Sequence, residues 1–197
     1  MSMSHEYDGQ PAAAPAVVDW TRRVEQARSL DRLVDLVRPV AEAVIAAPGR
    51  RDLLRGMWAG HAIHPVLTDL PIGCWTSAIL LDLLGGEQAR PAAHRLVALG
   101  LVGALPTAAT GLAEWSGTGQ REQRVGAVHA AANTVALGLY AASWRARASS
   151  RQRLGVLLGL AGGTATAVGG YLGGHLVAVR KVSSRNPAFE TDPAGVL

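Results

Sequence analysis

Four stretches long and apolar enough to cross a bilayer constrain this chain more than any motif does: Pro65–Leu84, Ala92–Ala113, Val125–Trp144 and Leu154–Val179. Each is close to the roughly 20 residues a helix needs to span the hydrocarbon layer. No water reaches backbone N–H and C=O groups in that layer, so such segments must satisfy them internally, as helices do. A soluble helical bundle is the competing fold, but its helices would carry a solvated polar face at a 3.6-residue period. None of the four stretches has one. The chain of 197 residues is 49% hydrophobic and only 17% charged, too apolar for an average soluble domain and too short for several sizeable folds. The predicted fold class is all-α: an integral membrane four-helix bundle with an N-terminal amphipathic interfacial helix.

In chain order, residues 1–15 are polar and Ala/Pro-rich, lack a signal-peptide pattern and read as a disordered tail. Residues 16–56 read as an amphipathic arm. Between Ala16 and about Ala47, Leu30, Leu33, Val34, Val37, Ala41 and Val44 form one stripe, and Arg28, Asp31, Arg32, Asp35 and Arg38 take other faces. The arm therefore belongs on the membrane surface or on the end of the bundle. Pro39 is expected to bend it and Pro48-Gly49 to end it. Residues 57–180 hold the bundle, and 181–197 form a polar tail. The formal charge of +4 is almost wholly arginine, with Lys181 the only lysine. Arginine pairs at segment ends, without interleaved aromatics, suit lipid headgroups and argue against a nucleic-acid partner. One cysteine, Cys74, excludes a disulfide or a thiolate cluster within the chain. Arginine occurs in the loops on both sides, so the charge count does not orient the bundle. A long arm without a signal peptide is hard to translocate, which places both termini on the cytoplasmic side of the inner membrane.

The stretch Trp58–Leu84 carries His61, His64, Pro65, Asp69 and Pro71 at the start of the first span. Ionisable groups in a membrane cost kilocalories each, so they are expected to face a protein interior or a cofactor. Four spans return the chain to its starting side, which brings His61, His64, Glu114, His129 and His175 to one membrane face. The spacings predict one polar stripe per helix: Asp69 and Thr76; Thr107, Thr110 and Glu114; His129, Asn133 and Tyr140; Thr164, Tyr171 and His175. All four are expected to point inward. Histidines on facing helices can take the two axial positions of a b-type haem. With Glu114 they can equally form a mixed nitrogen/oxygen site for iron, copper or zinc. His129 and His175 are the leading ligands in this reading, and His61 and His64, three apart and on one helix face, are a second pair. Asp69, Asn133, Tyr171 and Glu114 would orient imidazoles or carry protons. His94 is expected at the interface, and Trp58, Trp75, Trp115 and Trp144 as interfacial anchors. Gly159/Gly163, Gly169/Gly173 and Gly170/Gly174 repeat at four-residue spacing, which suits close helix packing.

The segments GHAIHPVLTDLPIG (60–73), LPTAATGLAEW (105–115), RVGAVHAAAN (124–133) and GGYLGGHLV (169–177) resemble the recurrent motifs of an uncharacterised family of four-span membrane proteins. The resemblance covers roughly residues 51–180. The family motifs fall here on His61, His64, Pro65, Asp69, Pro71, Gly73, Glu114, His129, Gly174 and His175, with Glu114 standing where many relatives have aspartate. In actinobacteria, similar domains are often followed by a Rieske-type [2Fe–2S] domain. The resemblance therefore implies work in electron transfer. The tail from Lys181 onward has no cysteine or histidine to bind such a cluster.

The expected function is a small membrane redox subunit that passes electrons to or from a separate Rieske-type or ferredoxin-like protein, a respiratory complex or a quinone. No residue is assigned a catalytic role. Two alternatives stay open: a non-catalytic accessory subunit of a membrane complex, and a proton-coupled transporter.

Overall fold

The computed structural model describes residues 14–189; the proposed disordered tail falls almost wholly outside them, as does the end of the C-terminal tail. Among the described residues the chain is helical, and no strand forms beyond an isolated antiparallel bridge between His61 and Arg185. The helices are α1 (Ala16–Gln26), α2 (Asp31–Ile45), α3 (Arg50–Leu54), α4 (His64–Leu84), α5 (Arg90–Trp115), α6 (Gln120–Ala148) and α7 (Gln152–Ala178). The last four are long and apolar enough to cross a membrane. At 26 to 29 residues, α5, α6 and α7 exceed the roughly 20 needed to cross. The extra length lies at their ends, where their charged residues sit.

Helices α4 and α5 pack closely along their length, as do α6 and α7, and the two hairpins meet mainly through α5 and α6. Small residues permit the approach. A Cβ on Gly100 would overlap the Trp75 ring, and one on Gly162 would meet the Tyr140 ring at 3.0 Å. The core behind them holds Trp75, Ala78, Ala93, Val97 and Tyr140. Trp75 and Tyr140 stack with ring centroids 4.1 Å apart at 13°, and the Trp75 indole N–H donates to the Val97 carbonyl at 3.3 Å. Trp75 and Trp115 are thus core residues and not the expected interfacial anchors. A buried indole needs an acceptor for its N–H, and Trp115 finds one in the Gln123 carbonyl at 3.0 Å. Trp58 and Trp144 are exposed, in keeping with anchoring, and His94 lies half-buried with its ring 5.9 Å from that of Trp144.

The arm differs from the single bent helix expected. It breaks at Ala27, whose backbone is extended, and Pro39 sits inside α2 without ending it. Arg124 of α6 stabilises the break. Its guanidinium donates to the Glu25 carbonyl at 3.1 Å, one of the orphan acceptors at the end of α1, and to both Asp31 carboxylate oxygens at 2.7 and 3.0 Å. The bidentate pair holds the Asp31 carboxyl below the ordinary carboxylate range. The predicted apolar stripe is used: Val34 and Ala41, with Leu33 and Val37 beside them, pack on Trp115 and Ala127. The arm lies against the ends of α5 and α6, while Val17, Trp20, Leu36 and Val40 keep exposed apolar surface.

Candidate functional site

Pro65 at the first turn of α4 has φ preset for a helix start, and the loop before it turns at Gly56 and Gly60 with φ of +73° and +89°. This start presents the His64 ring to α5. Its Nδ1–H donates to the Thr107 carbonyl at 2.9 Å, with the Thr110 hydroxyl 3.3 Å away. From α6, the His129 ring reaches α7 in the same manner, its Nδ1–H donating to the Gly169 carbonyl at 2.8 Å. A carbonyl can only accept, so both rings carry their proton on Nδ1 and have Nε2 as an acceptor. The two rings face each other edge to face, with centroids 6.5 Å apart at 81°. The Asn133 amide donates to His129 Nε2 at 3.0 Å. Glycine makes room for both imidazoles: a Cβ on Gly111 would stand 2.8 Å from His64, and one on Gly173 3.0 Å from His129. Gly169 clears the Asn133 side chain in the same way, whereas Gly170 and Gly174 face open space.

The pair thus assembled is His64 with His129. His175 is engaged elsewhere: its Nε2 lies 2.7 Å from Glu25 Oε1 of the arm, and Arg180 lies 3.0 Å from the same oxygen and 3.2 Å from Glu122. Tyr171, one helical turn earlier, also turns to the arm, its hydroxyl 3.0 Å from that of Thr21. The expectation that all four polar stripes point inward therefore fails for α7, where Tyr171 and His175 face α1 and Thr164 is exposed. It fails for α4 as well. Asp69 and Thr76 are exposed, and no polar contact joins Asp69 to either histidine among the described residues. Helical geometry explains this: five residues at 100° each carry Asp69 about 140° around α4 from His64. His61 lies before α4 begins, in the bridge to Arg185, so the i, i+3 rule for a shared face does not apply to it. Its Nδ1–H donates to the Ala62 carbonyl at 2.9 Å. Glu114 turns to the C-terminal segment, where one oxygen accepts from the Ser184 N–H at 2.9 Å and hydroxyl at 2.8 Å. Among the described residues no three His, Cys, Asp or Glu side chains stand together as a ligand set.

Two partners were not found by sequence reasoning. Glu25 is buried on α1; its position four residues after Thr21, also buried, puts the two on one packed face of that helix. Asp82, the lone acid at the end of α4, pairs with Arg147 of α6 at the opposite end of the bundle, at 2.8 and 2.5 Å. An acid inside an apolar run is the signal for such a partner.

The profile of a protein family described as predicted membrane protein (DUF2231) matches residues 60–186, well over half of the chain. The chain belongs to this DUF2231 family. The matched segment takes in His64, His129 and all four spans, and leaves out the arm with Glu25 and Asp31. Its two ends meet in space: the Asn186 N–H donates to the Gly60 carbonyl at 2.9 Å. No curated protein and no solved structure matches the chain.

Proposed function

We propose that this DUF2231 protein is a small membrane redox subunit in which His64 and His129 would hold a b-type haem. What supports the reading is the facing pair itself: two imidazoles from different helices, each with Nδ1–H anchored on a backbone carbonyl. That anchoring sets tautomer and ring orientation, as it does for most metal-ligating histidines. A haem brings most of its iron ligands itself and would need only a pair of side chains from the protein, and for that reason it is put forward ahead of a bare iron, copper or zinc ion. When bound, it would supply one-electron chemistry inside the membrane. His64 and His129 would hold it, and Asn133 would give up its bond to His129 Nε2. The Thr107 and Gly169 carbonyls would keep the rings oriented. Electrons would pass to a separate redox protein or a quinone, and the histidine face would be the cytoplasmic face of the inner membrane.

The accessory-subunit reading has one specific observation in its favour: both ring nitrogens of His129 already have hydrogen-bond partners within the protein. An absorption spectrum of the detergent-purified full chain, oxidised and dithionite-reduced, with metal analysis of the same sample, separates the two. The redox reading expects a Soret band and sharpened reduced bands, lost in His64→Ala and in His129→Ala and kept in His175→Ala. A featureless spectrum and no stoichiometric metal, in a sample purified without chelator, leaves the imidazoles as ties between helices.

A further inference from the structure

At the arm end of the bundle, past α7, the chain folds back over the helix ends. The turn is made at Lys181, whose backbone takes φ +56°, a left-handed conformation that a residue with a Cβ adopts only where its surroundings impose it. The segment that follows is held at several points. The Val182 N–H donates to the Leu176 carbonyl and the Ala62 N–H to that of Ser184, both at 2.9 Å. Glu114 clasps Ser184, and the Asn186 amide donates to the Met57 carbonyl at 2.9 Å. Between this segment and α3 lies a cavity of about 460 Å³ lined by Asp52, Arg55, Met57, Lys181, Ser183, Ser184 and Arg185.

The charge in this cavity is unbalanced. Among the described residues Arg124, Arg147 and Arg180 all have carboxylate partners, yet Arg55, Lys181 and Arg185 have none. With Asp52 on the same wall, three cations and one carboxylate leave a net charge of +2. Arg55 is preorganised as well. Its Nε–H donates to the Ala113 carbonyl at 2.9 Å and its terminal nitrogen to the Ser116 hydroxyl at 3.4 Å, at the end of α5. Gly117 leaves room for the guanidinium, since a Cβ there would overlap it. A planar guanidinium held in place, two exposed cations and the Ser183 hydroxyl make a set of donors suited to an oxyanion carrying up to two charges.

We propose that this cavity binds a phosphate group. The site is distinct from the facing histidines and does not depend on the redox reading. Both a phospholipid headgroup and a soluble phosphate compound carry that chemistry, and the cavity lies at the end of the spans, where headgroups of a surrounding bilayer are within reach.

The test uses the full chain in neutral detergent. Inorganic phosphate is titrated by calorimetry, and phosphatidylglycerol retention is compared with phosphatidylcholine by native mass spectrometry. The proposal expects binding of at least one probe, weakened tenfold or more in Lys181→Gln/Arg185→Gln and within twofold of wild type in Arg121→Gln, an exposed arginine outside the cavity. One tightly retained phosphatidylglycerol per chain, with weak inorganic phosphate binding, identifies a lipid headgroup. Inorganic phosphate binding without preference for phosphatidylglycerol identifies a soluble ligand. Equal loss in Arg121→Gln and the double variant would mean unspecific charge and overturn the site. So would the absence of binding by either probe in protein whose circular dichroism is intact.

Discussion

Arg147 and the His64–His129 pair sit at opposite ends of the same bundle and differ in what they leave over. Arg147 donates to both Asp82 oxygens, to the Ser143 hydroxyl at 3.2 Å and to the Gly155 carbonyl at 3.4 Å, with both charged side chains at most 3% exposed. Each polar group of that cluster has a partner within the protein, and the cluster ties α4, α6 and the start of α7 together; at the same end the His94 Nε2 is buried without a hydrogen bond. Among the described residues at the arm end, one oxygen of Glu114 is buried without a hydrogen bond, the His64 Nε2 has none, and Arg55, Lys181 and Arg185 of one cavity form no ion pair. A saturated polar cluster in a membrane protein points to architecture. An unsaturated one has hydrogen-bonding capacity left over, and an unmet buried polar group is costly.

The largest effect that would break this comparison is at the saturated end. Arg147→Met leaves Asp82 buried and unpaired, which costs about 3–5 kcal/mol. Denaturant unfolding in micelles, followed by circular dichroism, should show that loss, and Asp82→Leu/Arg147→Met should regain most of it. A single variant as stable as wild type would mean that the cluster is not a structural tie.

Next in size are the glycines that set helix spacing. Gly100→Ala drives a Cβ into the Trp75 ring, which is stacked on Tyr140 and cannot yield cheaply. A loss of about 1–3 kcal/mol follows. Gly170→Ala meets nothing within 4 Å and should be neutral or slightly stabilising, since alanine is the better helix former. Equal losses in the two variants would show that helix spacing is not set where the structure puts it.

The smallest effect is at the arm. Arg124 lowers the Asp31 pKa from its ordinary 3.8. The pairing therefore contributes fully above 3.8 and is lost as pH falls through the lowered value. Limited proteolysis near Ala27 should be unchanged from pH 8 to pH 5 and accelerate below about pH 4. Asp31→Asn should show the faster cleavage already at neutral pH, with no further step in acid. An acid step that persists in Asp31→Asn would place the responsible group elsewhere.

The four spans were legible because length and hydropathy decide them, and the apolar stripe of α2 because its partners Trp115 and Ala127 bury one clear face. The facing histidines were legible only in part. Topology brings His64, His129 and His175 to one end, but ring partners depend on the rotation of each helix about its axis. That rotation is set by where glycines let a ring approach, as at Gly111 and Gly173. Helical spacing alone groups Tyr171 and His175 correctly and cannot say that they face Thr21 and Glu25, residues 150 positions away. His61 misleads for a simpler reason: the i, i+3 rule holds only within a helix, and His61 precedes α4.

The hydrogen bond between Asn186 and Gly60 closes the matched segment into a ring in space. A ring can be opened anywhere it is slack. Joining residues 60 and 186 through a short linker and cutting at Gly85-Gly86 would give a circular permutant with the same four spans in a new order. It also means that the stretch of chain entering the first span and the one leaving the last run side by side at Gly60 and Asn186, so a shift of one end is felt at once by the other.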